Sequence, residues 1–597
     1  MPTSLYLAFQ SEGYKDRYYR LHQTRAQLFD TRKSGGYDGH WRDIADFVMP
    51  RRTRFFASDR NRGENRNQNI IDSTAKFAAL TLRSGMHAGL TSPARPWFKL
   101  STPDPKLAES HPVKEWLHEV TQRMFTIFNM GNIYNTLPIV YGDLGVFGTA
   151  AMSMMGDDRD LFRSYSYPLG SYAIGLDKRG KASTFVRDYE LTVRQVVEEF
   201  LITPDGKGID WSKASTRIKD FWTRGQYEQP IAICWLVQPN ELYDANRFSA
   251  KFRMPFASCH FELDVNDREH KAFLRESGFA TFPVMVPRWD ITGEDAYGTD
   301  CPGMIARGDT RQLQLMQRKK AQLLAKAVDP PLKGPSSLRT QKTSLVQGDI
   351  TYVDVREGQQ GLSPIHEVRL EGFQHITADI QDVRFLIKRA FYEDLFLMMA
   401  TSDGYRGTQP VTAREIAERH EEKLIMLGPV LERTNDELLN PIIDRTFDLM
   451  QQAGLIPEPP DELDQVKLKV EYVSILAQAQ KLIGVTGLDR FMATAVPLVE
   501  AGLISRHKIV GNQVVDNYSD MLGIDPRIVR SNEDADALAA DEAQQAQAAQ
   551  AAVQAKDLAS AAATAGSKPI APDSALDRML NSTGSPALRP AAAGTPV

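Results

Sequence analysis

Residues 297–331 read YGTDCPGMIARGDTRQLQLMQRKKAQLLAKAVDPP: a glycine-bearing turn, a long amphipathic run and a double proline. Leu313, Met316, Leu323, Leu324 and Ala327 recur at helical spacing, and Asp329-Pro330-Pro331 ends the run because proline lacks an N–H and clashes with the turn before it. From Asp309 this predicts a rod of about 28 Å. The next forty or so residues carry five glycines and several β-branched residues without a helical period, which predicts a small β-rich insert. A second rod starts near Phe373, with Ile376, Ile380, Val383, Ile387 and Phe391 on one face. Two rods therefore flank a compact insert.

Upstream, residues 1–300 read as mixed α/β. A helix near Tyr14–Phe29 is followed by the helical face Trp41, Ile44, Phe47 and Val48, closed by Pro50, and then by the Arg- and Asn-rich surface stretch RRTRFFASDRNRGENRNQN. From Asp72, the residues Phe77, Leu80 and Leu82 mark a helix toward Gly85. The prolines of TSPARPWFKL hold the next segment extended, a helix covers Pro112–Phe128, and GDLGVFG sets three glycines among apolar residues. RSYSYP, SYAIGLD, STFVRDYEL, IAICWLV and FPVMVPRW alternate with turns such as DKRG, so they are strands, and TVRQVVEEF between them is a helix with Thr192 near its start.

Downstream of Phe396 comes the polar, glycine-bearing LMMATSDGYRGTQPV. Thr412 and Glu415 then form a capping-box pattern that opens a long helix continuing to Gly454. Pro429 and Pro441 inside it predict a bend. Residues 457–470 read as a linker to a last helical module at 471–531. The Ala/Gln-rich stretch after it has helix propensity but little to pack with, and the remaining Pro-, Gly- and Ser-rich residues read as disordered unless a partner orders them.

With 597 residues, the chain is long enough for three to five domains at about 100–200 residues each. At 42% hydrophobic and 25% charged it is an ordinary globular composition, so wholesale disorder is excluded. No stretch approaches the roughly 20 apolar residues of a membrane span, and the N-terminus has no apolar block before a cleavage site, so a soluble, unprocessed protein is expected. Cys234, Cys259 and Cys301 are scattered without a C-x-x-C pair, against a disulfide framework or a cysteine zinc site, and they suit a reducing compartment. A net charge of -5 excludes a polycation built to grip nucleic acid along its whole surface.

No phosphate-binding loop, dinucleotide fingerprint, H-E-x-x-H, EF-hand or G-x-S-x-G motif occurs. The nearest acidic cluster, Asp157, Asp158 and Asp160, reads better as a turn in water than as a two-metal nuclease site. His260, His366 and His375 lack helical ligand partners and read as core or surface histidines. Arg307, Arg311, Arg318, Lys319, Lys320 and Lys326 lie on or beside the first rod, with Lys333, Arg339 and Lys342 in the insert. Such a string suits phosphate contact, but a solvated helix face, or pairing with Asp379, Asp382, Glu393 and Asp394, explains it as well. Asp403-Gly404-Tyr405-Arg406-Gly407 offers a guanidinium and a phenol between two long helices. Either it contacts a phosphate backbone without reading bases, or it is an ordinary interhelical loop.

Five segments together resemble the head-to-tail connecting (portal) proteins of podovirus-type tailed bacteriophages. They are IIDSTAKFAALTLRSGMHAGLTSPARPWFKL at 70–100, YGDLGVFGTAAM at 141–152, the stretch 297–331, TAREIAERHEEKLIMLGPVLERTNDELLNPIIDR at 412–445 and MLGIDPRIVRS at 521–531. Cys301-Pro302-Gly303 departs from the plainer Gly-Pro-Gly-like start of the first rod expected of such proteins, which shifts where that rod begins. The Ala/Gln-rich tail lies outside the resemblance.

The resemblance implies an α+β, multi-domain portal fold forming a ring-shaped homo-dodecamer at one capsid vertex. Its parts would be a mixed α/β wing (1–300), a stem helix (301–328), a β-rich clip (329–372), a second stem helix (373–397), a channel loop (398–411), a bent wing helix (412–470) and a helical crown (471–535); the tail (536–597), outside the resemblance, reads as disordered or ordered by a partner. It implies a non-enzymatic conduit for double-stranded DNA without cofactor or metal. The expected partners are the terminase large subunit, tail adaptors, and major capsid and scaffolding proteins, with assembly in the host cytoplasm and residence in the virion. Candidate channel groups are Asp403–Gly407 in the loop and Arg318, Lys319, Lys320, Lys326, Lys388 and Arg389 on the stem. Lys333, Arg339 and Lys342 would serve docking. Two other readings remain: a capsid or tail structural protein without a DNA path, and a metal-dependent DNA-processing enzyme.

Overall fold

A computed structural model describes residues 3–59, 63–104, 107, 110–203, 205–206, 208–244, 253–263, 273–328, 330–334, 336–339, 363–364, 371–400, 427–463, 469–472, 488–499, 511–522, 528–530 and 532–566. Two compact units emerge, one from residues 1–103 and 116–480, the other from 104–115 and 481–597.

The first unit is built around a five-stranded antiparallel meander of β4 (Tyr172–Leu176), β5 (Ala182–Thr192), β6 (Pro230–Pro239), β7 (Phe256–Glu262) and β8 (Arg275–Phe279), in that order. The DKRG turn sets its first hairpin. Asp177 accepts the N–H groups of Arg179 (2.8 Å) and Lys181 (2.9 Å), and Gly180 takes φ 75°. Helix α1 (Thr3–Ser34) covers one face, where Tyr18 and Leu21 pack with Val186, Cys234, Leu236, Cys259 and Phe261. Ion pairs Arg17–Glu276 and Arg25–Asp188 hold its rim. On the opposite face His260 stacks on Trp235, and burial together with Arg275 and Arg187 lowers its pKa to about 3, so it is a neutral core histidine. Thr192 and Gln195 form a capping box at the helix that follows β5.

A second sheet joins β3 (Leu161–Ser166), β2 (Met152–Asp157) and β9 (Val284–Met285). Asp157, Asp158 and Asp160 lie at its β2–β3 turn, and no metal-holding group of three ligands exists among the described residues. Burial raises the Cys301 thiol to about 12 and Cys234 well above its ordinary value, so neither is a nucleophile.

Three expectations need correction. The helix from Asp72 is α3 (Thr74–Leu90), and it buries Ala75, Ala78, Ala79, Leu82 and Met86 while Phe77 stands 65% exposed. Small residues rather than the large one face inward because a neighbouring helix approaches closely there. The boundary drawn at 470 falls inside a strand: β12 (Lys469–Tyr472) pairs antiparallel with β1 (Phe98–Ser101), so these residues belong to the first unit. Finally, the tail drawn from 536 as disordered or partner-ordered is entered by a 35-residue helix, Asn532–Gly566, whose described side chains are exposed apart from the half-buried Ala535. Alanine and glutamine propensity suffices for the helix without an amphipathic face. In the second unit Asn512 donates to Asp536 at 3.2 Å and Tyr518 bonds Asp489. Among the described residues no helix is long and apolar enough to cross a membrane.

Candidate functional site

The two rods are α9 (Arg307–Val328) and α10 (Glu371–Ala390), counting α4 (His111–Met130), α5 (Ile133–Phe147) and the short α8 (Pro302–Ile305) among the helices before them. At about 1.5 Å per residue α9 is about 33 Å long. The rods pack antiparallel: Lys320 reaches Thr377 at 3.4 Å and lies 5.1 Å from the Phe373 ring, whereas Gln317 shares a partner with Arg384. That partner is Asp72, immediately before α3. Its buried carboxylate accepts Arg384 Nε (3.0 Å) and Nη2 (2.7 Å), Gln317 Nε2 (2.8 Å), and the Thr74 N–H and hydroxyl. Gln314, also buried, accepts the Ile71 and Asp72 N–H groups and donates to the Asp72 carbonyl at 2.8 Å. One polar knot thus ties both rods to the start of α3. Burial pushes the Asp72 carboxyl up, but the bonds from Thr74, Arg384 and Gln317 outweigh it and hold it below the ordinary carboxylate value.

The start of α9 is locked by glycines. Cys301 precedes α8, with Pro302 in its first turn where the missing N–H is harmless. A Cβ on Gly303 would lie 2.1 Å from the Val146 carbonyl oxygen, and one on Gly298 would lie 2.0 Å from that of Gly148. Gly148 itself, at φ 76°, ends α5. Cys301 Sγ donates to the Val146 carbonyl at 3.3 Å. YGTDCPG and GDLGVFG, far apart in sequence, are therefore one interlocked backbone contact. Within α5, Gly145 makes room for Leu82 of α3.

At the other end, α10 stops at Phe391, which is buried, and Tyr392, whose φ of 54° is left-handed. Helix α11 (Glu393–Ala400) begins directly, with Lys388 and Glu393 paired at 3.1 Å across the joint. The helix after residue 427 meets Pro441 with a π turn over Asn435–Leu439, followed by α12 (Asn440–Gln452). That turn carries Glu437 to the buried Arg288, whose Nη2 lies 2.5 Å away and whose backbone N–H also donates to it. Arg445 is buried without an ion pair among the described residues, donating to the Met154 carbonyl at 2.7 Å and the Thr281 hydroxyl at 3.2 Å, and burial lowers its pKa to about 10.

The candidate basic residues divide. Arg318, Lys319, Lys326 and Arg389 are exposed and make no ion pair among the described residues. Lys320 is half-buried against Phe373, and Lys388 is engaged by Glu393. Arg307 and Arg311 pair not with the second rod but with Asp43, at 3.6 and 3.4 Å. Lys333 and Arg339 are exposed, Lys333 on the short β10–β11 pair (Leu332–Lys333 with Ser363–Pro364). Asp403, Gly404, Tyr405, Arg406, Gly407, Lys342, Thr412 and Glu415 lie outside the described residues, while Pro429 lies on the helix after 427. Sequence reasoning misses Asp72, Gln314, Gln317 and Arg384. The only local signals were an aspartate just before a helix and polar residues at core spacing on the rods.

The family described as bacteriophage head to tail connecting protein matches residues 19–529. A protein named "Portal protein" from Salmonella phage epsilon15 is 41% identical over 567 residues, 95% of this chain and 98% of that one. Another, named "Probable portal protein", from Bordetella phage BPP-1, is 43% identical over 493 residues, covering 82% of this chain and 85% of its own length. The match takes in the interlocked glycines, both rods and the helix with the π turn, and the chain belongs to the bacteriophage head-to-tail connecting protein family.

Proposed function

We propose that this chain is the subunit of a homo-dodecameric portal ring at one capsid vertex, with α9 and α10 as the stem around a path for double-stranded DNA. The observation that carries the reading is the antiparallel pair of rods, held at one end by Asp72 and the glycine lock, in a chain of this family. The rods leave Leu315 (57%), Leu324 (50%) and Phe385 (64%) exposed, surfaces a neighbouring copy would cover.

A conduit must let a polyanion slide. Each neutralised phosphate strengthens binding through counterion release, so a continuous basic lining would halt motion. A chain of net charge -5 whose ring sets a few cations, without an ion pair among the described residues, at narrow places would satisfy this. Arg318, Lys319, Lys326 and Arg389 are the free stem candidates, and Tyr405 and Arg406 of the 398–411 channel segment would touch the backbone without sequence preference. Lys333, Arg339 and Lys342 of the clip would steer the terminase large subunit and then the tail adaptors. The ring would sit against major capsid protein, placed there with scaffolding protein.

Phage carrying Arg406→Ala should form normal heads but package or retain several-fold less DNA, measured as DNA per head. Unchanged DNA content in Arg406→Ala and in a deletion of 402–408 would favour a structural role without a DNA path.

A further inference from the structure

Strand β3 has two unlike surfaces, one at each end. Beyond Ser166 the chain stays extended through Tyr167, whose N–H bonds the Ala151 carbonyl at 2.9 Å, and reaches Leu169. There it fastens the Arg- and Asn-rich stretch that follows Pro50. The Arg54 N–H donates to the Leu169 carbonyl at 2.8 Å, and the Leu169 N–H donates to that of Arg52 at 3.1 Å. The fastened stretch presents Phe56, which is 67% exposed. Its base is built: Arg52 pairs with the buried Asp143, and a Cβ on Gly170 would lie 2.7 Å from Phe55 Cδ1, so glycine makes the room that ring occupies. Arg42 of α2 (Tyr37–Phe47) lies 4.3 Å from the Phe55 ring and 5.6 Å from that of Phe56. An aromatic tip held in this way has little freedom left to lose on binding.

At the other end of β3, an open groove of about 810 Å³ lies between the β2–β3 turn and the ends of α4 and α12. Ile127, Met130, Leu161, Leu449 and Leu455 supply its apolar lining, with Met130 68% and Leu455 43% exposed. Asp157, Asp158 and Asp160 border it and make no ion pair among the described residues. Eight residues, from Leu161 to Leu169, separate the two surfaces, roughly 26 Å of extended chain. Tip and groove are therefore too far apart to meet within one subunit.

We propose that Phe56 of one copy of this chain seats in the β2–β3 groove of the next. A head-to-tail contact requires two different, complementary patches on every subunit, and β3 places one at each of its ends. The signs of charge match. Arg51, Arg52 and Arg54 precede the tip, and three aspartates border the groove, whereas tip against tip or groove against groove would bring like charges together. The aromatic ring would be the anchor and the charges would set the register. Closure of such contacts into a ring rests on the portal reading, in which the exposed rod residues Leu315, Leu324 and Phe385 add further contact area.

Cross-linking of the full chain tests the contact. Cys234, Cys259 and Cys301 are all buried, so thiols introduced at the exposed Ser58, beside the tip, and Thr126, in the groove, are the accessible ones. With Ser58→Cys and Thr126→Cys together, a short bis-maleimide should give a ladder of covalent multimers, and either substitution alone should give none. In the unmodified background, Phe56→Ser should raise the protein concentration at half-assembly about tenfold, while Phe56→Tyr stays near wild type. Circular dichroism should be unchanged in both, since the side chain is exposed. Cross-linked dimers from Ser58→Cys alone, or equal assembly of Phe56→Ser and wild type, would overturn the contact. Rings of the double-cysteine chain without a ladder would overturn it and leave the portal reading standing. A ladder from open chains that never close would uphold the contact and overturn the ring.

Discussion

Gly303→Ala is expected to destabilise the first unit by about 3 kcal/mol or more, at the upper end of what overpacking costs. The added methyl would stand 2.1 Å from the Val146 carbonyl oxygen, 2.7 Å from its carbon and 2.8 Å from its Cα, so the obstacle is backbone on both sides. No rotamer change relieves it. Either α8 lifts from the end of α5, carrying the start of α9 with it, or the Gly148 turn opens. Gly298→Ala meets the Gly148 carbonyl oxygen at 2.0 Å and should behave alike. Gly308→Ala is the control, because nothing lies within 4 Å of the new Cβ and alanine is the better helix former, so a small gain is expected. Thermal unfolding separates these outcomes: a midpoint about 3 °C lower for Gly303→Ala and unchanged or slightly higher for Gly308→Ala. Equal midpoints would mean the glycine lock does not constrain the rods.

Asp72→Ala should cost about 3 kcal/mol, through several donors losing one acceptor. Arg384 keeps a third of its side-chain exposure, so water recovers part of its loss, whereas the Asp72 side chain is 5% exposed and leaves a cavity facing Gln317 and Thr74. The acid response follows from the lowered pKa of this carboxyl. A group whose folded pKa lies below its unfolded value of about 3.9 contributes its full stability above that pH and loses it as pH falls through the folded value. Wild type should therefore lose stability more steeply than Asp72→Ala below about pH 4, and the two curves should run parallel above it. A pH-independent gap down to pH 2 would show that the ionised knot is not what holds the rods.

How much of this was legible in the sequence follows from the range of the interactions. Helical and strand periods, the Thr192–Gln195 box and the Asp177–Gly180 turn are local, so RQLQLMQRKKAQLLAKAV and STFVRDYEL announce their elements. The rods' partners are not local. Arg384 and Asp72 are separated by 312 residues, and neither carries a mark of the other. GDLGVFG and YGTDCPG read as flexible punctuation, yet their glycines serve close approach of backbone to backbone, a distinction that depends on what packs opposite. Phe77 reads as core by period and stands in solvent in the single chain, because the inward face of α3 toward α5 is built mainly of alanines, with Leu82 admitted by Gly145. Pro441 announces a disturbed helix, but its resolution as a π turn that delivers Glu437 to Arg288 depends on a buried guanidinium 149 residues away. Lys320, Lys388, Arg307 and Arg311 look like a cationic string in one dimension, and in three dimensions each has a companion within its own chain.

Electron cryomicroscopy of the purified full-length chain tests the central claim most directly. The account predicts closed rings in which Arg307–Val328 and Glu371–Ala390 of every subunit surround an axial opening wide enough for a duplex. Monomers, open sheets, or rings that place these two helices away from the axis would contradict it.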